Sequence, residues 1–262
     1  MISLAILAIM VEIPDSVAVV TGAASGIGEA IAHKFASDGA AVVVADIDED
    51  GGNAVVDEIT STGAEAMFVP TDVSNTEDVE DLVGRTLDEY GTIDILCNNA
   101  GISDDFTPLE MVTDDLLSNV IDVNLRSQLL VTREAIPALQ EGDGEGVVIN
   151  TASVAGKVGG AAGVLYTTTK HGVVGFTKQM ANDYGPEIRV NAVCPGAVDT
   201  GMTEDYTLIL EQIAEETAAD RYGQPHDIAS VVRFLASDEA SFIHGSAISV
   251  DGNIMNRPWV SI

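Results

Sequence analysis

Short runs of β-branched and apolar residues alternate along this chain with longer stretches whose apolar positions recur at helical spacing. The runs Val17–Thr21, Ala41–Ala45, Ala66–Pro70, Ile93–Cys97, Gly146–Asn150, Ile188–Val193 and Ala247–Val250 predict strands. Between them, Ile27–Ser37, Asn53–Ser61, Thr76–Glu89, Thr113–Ala138, Leu165–Tyr184, Glu204–Ala219 and His226–Ala236 predict helices. Segments such as Val42-Val43-Val44 are apolar on both sides, as strands covered on both faces must be. The alternation predicts an α/β fold, a doubly wound parallel sheet of about seven strands with helices on both faces. No repeat or linker interrupts it, and 262 residues suit a single domain, taken as residues 15–262.

Charge narrows the possible partners. Forty-two acidic residues against eleven basic ones give a formal net charge of −31, which repels nucleic acid and anionic membranes. The carboxylates are spread along the chain, whereas lysine stands only at 34, 157, 170 and 178. Such a surface fits a halophilic protein in a salt-rich cytoplasm, because at molar salt the screening length falls to about 3 Å and self-repulsion fades. Cys97 and Cys194 end apolar runs and read as buried free thiols rather than a disulfide. The apolar run Ile2–Val11 lacks a positive flank and is too short to cross a bilayer. Residues 1–14 are therefore either an N-terminal extension or a mis-assigned start, with Met10 as the alternative first residue.

Two groups of residues carry chemistry. Thr21-Gly22-Ala23-Ala24-Ser25-Gly26-Ile27-Gly28 follows the first strand and opens a helix. Its glycines allow a tight turn and close approach to a pyrophosphate, whose charge the helix N-terminus favours. Asp46 ends the second strand, where a carboxylate can accept bonds from ribose hydroxyls and repel a 2′-phosphate, favouring NAD over NADP. Downstream, Tyr166 and Lys170 share a helix face at i, i+4, with Ser153 thirteen residues before the tyrosine. A nearby ammonium favours the phenolate, so Tyr166 can exchange a proton with an alcohol while Ser153 orients the reacting oxygen.

The order and spacing of these motifs resemble the short-chain dehydrogenase/reductase family, over about residues 15 to 252. The resemblance implies a Rossmann-type domain whose cofactor contacts are Gly22, Ser25, Gly26, Ile27, Gly28, Asp46, Asp72, Val73, Asn99, Gly101, Pro195, Gly196, Val198 and Thr200, joined by Tyr166 and Lys170. It implies the catalytic set Asn124, Ser153, Tyr166 and Lys170, with Asn124 holding a water in the proton relay. It also implies a homotetramer or homodimer, built on the helices near Thr113–Ala138 and Leu165–Tyr184.

His33, His171, His226 and His244 show no ligand spacing, so no metal is expected. Met202, Tyr206, Leu210 and Ile213 repeat at helical spacing and could lid the site. The acidic stretch Gln140–Glu145 would repel an acidic carrier protein. The expected function is NAD-dependent interconversion of a small secondary alcohol and its ketone, the substrate a sugar, polyol or hydroxy acid. The alternatives are a 3-oxoacyl-thioester reductase and a non-catalytic NAD-binding scaffold.

Overall fold

The computed structural model describes Ile13, residues 15–142 and residues 145–256, with residues 204–209 described in their backbone alone. The expectations for residues 1–12, Pro14, the Asp143-Gly144 pair and the tail Arg257–Trp259 lie outside the described residues, as does the side chain of Tyr206.

Seven strands form one parallel sheet: β1 (Val17–Thr21), β2 (Ala41–Asp46), β3 (Ala66–Pro70), β4 (Ile95–Asn98), β5 (Gly146–Thr151), β6 (Ile188–Pro195) and β7 (Ala247–Val250). Their order across the sheet is β3-β2-β1-β4-β5-β6-β7. The helices are α1 (Gly26–Ser37), α2 (Glu49–Ser61), α3 (Thr76–Tyr90), α4 (Asp114–Ile121), α5 (Ser127–Glu141), α6 (Val164–Tyr184), α7 (Thr207–Glu216) and α8 (Pro225–Ala236).

Alternate strand residues feed two cores. Ala18, Val20, Val42 and Val44 pack with α1, α2 and α8 through Ile31, Phe35, Ile59, Ile228 and Val232. Val19, Val43 and Ala45 point the other way and pack with α3 and α5 through Leu82, Val131 and Leu139. A fully buried side chain such as Phe35 gains about 1.5–3 kcal/mol from leaving water. Beneath β6, the buried Arg189 guanidinium pairs with Glu145 at 2.6 Å and donates to the carbonyls of Leu235, Ala236, Ser237 and Ala240. It thereby satisfies the last turn of α8, whose orphan carbonyls lack helical partners.

Several boundaries differ from expectation, two of them with a structural reason. α2 begins at Glu49 rather than Asn53, with Asp48 as N-cap accepting from Gly51 N at 3.1 Å. Its interior Gly52 is needed there, because a Cβ at that position would sit 2.1 Å from the Phe68 ring. The single helix expected over Thr113–Ala138 is interrupted by a π-helical turn, Asp122–Arg126, between α4 and α5. Period alone does not register one inserted residue, and such turns concentrate at functional sites.

Candidate active site

Parallel strands bring all their C-terminal ends to one edge of the sheet, and the strand order reverses between β1 and β4, which opens a crevice there. A cavity of about 530 Å³ occupies it. It is lined by Gly22, Ser25, Gly26, Ile27, Asp46, Asp72, Val73, Asn99, Gly101, Ser153, Tyr166, Lys170, Pro195, Gly196, Val198 and Thr200. Every expected cofactor-binding and catalytic residue therefore reaches the wall except Gly28 and Asn124.

Main-chain geometry builds the dinucleotide side. Gly22 and Gly26 hold φ of 65° and 59°, a region open to glycine at little cost. A Cβ on Gly28 would lie 2.0 Å from the Gly22 carbonyl oxygen, so only glycine lets α1 start against this turn. Ser25, the N-cap of α1, makes no side-chain cap bond and lines the cavity. Asp46 receives Ala24 N at 2.9 Å on one oxygen and Asp48 N at 3.0 Å on the other. A carboxylate has about four acceptor positions, so it keeps lone pairs for ribose hydroxyls. The donor set and the glycine cradle fit a nicotinamide dinucleotide.

Thr21 opens the glycine turn, and its hydroxyl, given no role in the sequence analysis, accepts from Asn99 N at 3.0 Å and Ala100 N at 3.2 Å and so fixes the loop after β4. The Asn99 amide donates to the Gly22 carbonyl at 3.1 Å. The loop after β6 closes from the other side, where a Cβ on Gly26 would meet the Thr200 methyl group at 3.3 Å.

Buried side chains build the chemical side. Lys170 is 2% exposed, its Nζ donates to the Thr151 carbonyl at 2.8 Å, and it lies 5.4 Å from the centre of the Tyr166 ring. Burial pulls Lys170 down to about 8, an effect that nearby Cys194 partly opposes. Tyr166 is half-buried at the cavity wall, which Ser153 also lines. Burial pushes its phenol up to about 12; the Ser153 side chain pulls it down and the Asp104 carboxylate adds to the rise. The resting tyrosine is thus a phenol, because desolvation outweighs the help expected from the lysine. Ser153 Oγ also accepts from Ala155 N at 3.1 Å.

Asn124 sits fully buried in the π-helical turn. Its Oδ1 accepts from Ile102 N at 2.7 Å and its Nδ2 donates to Ile102 O at 2.8 Å. Both ends of the side chain are therefore bonded to the Ile102 main chain. Gly101 lies between the two halves: a Cβ on it would stand 3.3 Å from Asn124 Oδ1 and 3.5 Å from Lys170 Nζ.

The proposed lid is divided. Met202 lines the cavity and is 43% exposed, whereas Leu210 is buried away from it. Among the described residues the only charged side chains on the wall are Asp46, Asp72 and Lys170. Cys97 and Cys194 are buried free thiols on strands separated by β5, as expected. Three histidines have a carboxylate neighbour, His33, His226 and His244, and His33 has two. Glu29 and His33 on α1 and Glu58 on α2 bring their ligand atoms within 4.8 Å at the surface, with His33 Nε2 3.3 Å from Glu58. The i, i+4 spacing of Glu29 and His33 was legible in the sequence, and the trio stays off the cavity wall. No helix among the described residues is long and apolar enough to cross a membrane.

Comparison with known proteins agrees with this architecture. Residues 22–253 match the family model described as enoyl-(acyl carrier protein) reductase. The chain is 40% identical over 241 residues to 3beta-hydroxysteroid dehydrogenase 2 of Eggerthella lenta, covering 90% of this chain and 93% of that one. The ligand-free aldohexose dehydrogenase of Thermoplasma acidophilum superposes with a TM-score of 0.85 at 32% identity, over 95% of this chain and 97% of that one. The 3-ketoacyl-(acyl-carrier-protein) reductase of Brucella melitensis, solved with NADH, gives a TM-score of 0.86 at 35% identity, over 92% and 98%. The chain belongs to the short-chain dehydrogenase/reductase family, whose members bind nicotinamide cofactors. It is an oxidoreductase acting on CH–OH groups.

Proposed function

We propose that this protein is an NAD(H)-dependent enzyme that interconverts a small, uncharged secondary alcohol, a sugar or polyol, and its ketone. The observation that carries the proposal is one cavity wall holding both the glycine turn with Asp46 and the Ser153–Tyr166–Lys170 group. A bound nicotinamide supplies the hydride acceptor. Ser153 orients the alcohol oxygen and stabilises charge developing on it. Tyr166 takes the alcohol proton, or returns it to the ketone in reduction. Its phenol needs added positive charge to ionise near neutral pH, and Lys170, largely protonated below about 8, supplies part of it. Asn124, with its side chain committed to Ile102, serves the proton relay through its main chain.

Asp46, anchored at both oxygens, supports NAD over NADP, since a 2′-phosphate would meet a fixed negative charge. The absence of a cation on the described wall other than Lys170, itself bonded to Thr151, disfavours the hydroxy acids among the expected substrates. A 3-oxoacyl-thioester reductase is the second reading, favoured by the likeness to the Brucella enzyme. Initial rates in molar KCl decide between them, with sugars, polyols and hydroxy acids run with NAD and a short 3-oxoacyl thioester run with NADH. Oxidation of neutral alcohols above all others is expected. Preferential thioester reduction overturns the substrate class, and tight NAD binding with no turnover leaves a scaffold.

The exposed Leu117, Ile121, Leu129 and Val164 on α4, α5 and α6 support a homodimer or homotetramer built on that face, and a monomer by light scattering in high salt overturns it. The net charge of −31 supports a salt-rich cytoplasm as its home.

A further inference from the structure

The loop after β4 carries a carboxylate that neither the glycine turn nor the Ser153–Tyr166–Lys170 group accounts for. Asp104 is 2% exposed, and its Oδ2 accepts from Leu165 N at 2.8 Å and Tyr166 N at 3.1 Å. These are orphan donors in the first turn of α6, whose own N-cap is Gly163, with no side chain to cap them. The cap thus comes from a residue 61 positions earlier in the chain. Gly163 makes room for it, because a Cβ there would lie 2.1 Å from Asp104 Oδ1. The loop holds this arrangement at a cost: Asp105 and Phe106, the next two residues, both sit in the left-handed region at φ 49° and 54°. Such strain persists where the surroundings over-determine it, often beside functional groups. Thr107 N bonding the Asp104 carbonyl at 2.9 Å closes the turn.

We propose that Asp104 is a positioning residue for the reaction: it ties the first turn of α6, and with it Tyr166, to the cofactor-side loop after β4, and holds its carboxylate against the Tyr166 main chain. The proposal rests on Tyr166 being the acid/base group. Around that phenol stand Ser153 after β5, Lys170 one turn further along α6, Asp104 from the loop after β4, and Cys194 of β6 beyond the lysine. Asp104 is the only carboxylate among these groups. After burial and the opposing effect of Ser153, its charge adds to the rise of the phenol and so disfavours phenolate.

The test uses Asp104→Asn, which keeps an acceptor oxygen for the helix but removes the charge. In the cofactor-free protein labelled with carbon-13 at tyrosine Cζ, the Tyr166 signal is assigned by its loss in Tyr166→Phe and titrated with alkali. Its midpoint is expected to fall by about one pH unit in Asp104→Asn, and the acid limb of kcat/KM for alcohol oxidation to move the same way. Turnover is expected to drop about tenfold in Asp104→Ala, where Tyr166 loses its tether. A midpoint unchanged from wild type overturns the proposal, even if turnover falls, because loosened structure alone would not move it. Should Asp104→Asn not fold, Gly163→Ala displaces the carboxylate from the other side and must lower the midpoint too; an unmoved midpoint there overturns the proposal. The titration reads Asp104 without any turnover, so an inactive wild-type protein defeats the assigned activity and not this coupling.

Discussion

On the dinucleotide side of the cavity, position is set by main chain: φ of 65° at Gly22, contact between Gly28 and the Gly22 carbonyl, and two N–H groups gripping Asp46. On the chemical side it is set by buried side chains reaching distant backbone. Lys170 reaches Thr151, Asn124 reaches Ile102, and Asp104 reaches Tyr166. The difference follows from what each half must do. Binding a pyrophosphate needs oriented amides, which glycine turns present at little conformational cost. Moving a proton needs groups of tuned acidity, and tuning requires burial and chosen neighbours.

Each half of the wall can be disabled separately, and the largest effect falls on the chemical one. Tyr166→Phe removes the acid/base group and leaves the glycine turn intact, so turnover is expected to fall about a thousandfold with NADH affinity within about twofold of wild type. Gly28→Ala acts on the other half. Its Cβ would press on backbone rather than on a movable side chain, and NADH binding, followed by fluorescence, is expected to weaken by about a hundredfold. Arg189→Met serves as a control remote from both, stranding Glu145 and the carbonyls that end α8. Chemical unfolding should show a loss of about 3 kcal/mol, with turnover per folded molecule unchanged.

Smaller effects sharpen the picture. Asp46→Ala is expected to erode the preference for NAD over NADP about tenfold in kcat/KM, and an unchanged preference would count against the role given to that carboxylate. The smallest effect concerns acid. Asp227, held down to about 2 chiefly by its bonds to Arg221, stabilises the fold fully above the usual carboxylate value of about 4. That contribution is lost as pH falls from there toward 2, so Arg221→Gln should narrow its stability gap to wild type over that window. The pair is largely solvent-exposed, and a gap independent of pH would show that it contributes nothing measurable.

The same division explains what could be read from the chain beforehand. Strand ends and glycine spacing are local signals, so Gly22, Gly26, Gly28 and Asp46 could be placed at the crevice from sequence, and the periodic apolar runs gave all seven strands. Ser153, Tyr166 and Lys170 were legible because two of them share a helix turn. The tether of the Thr21 hydroxyl and the roles of Thr151 and Asp104 were not, since each acts through a bond to residues far along the chain, and no spacing betrays such a partner. The π-helical turn escaped for another reason: Asp122–Arg126 keeps the apolar period of the helices on either side. The rise of the Tyr166 phenol was likewise hidden, because burial cannot be read from an i, i+4 pair.

The most direct test of the account measures NADH affinity and alcohol turnover side by side in molar KCl, for wild type and Tyr166→Phe. Affinity preserved with turnover lost is the predicted result, since cofactor binding and proton transfer are built by separate parts of the wall. Normal turnover in Tyr166→Phe would contradict it.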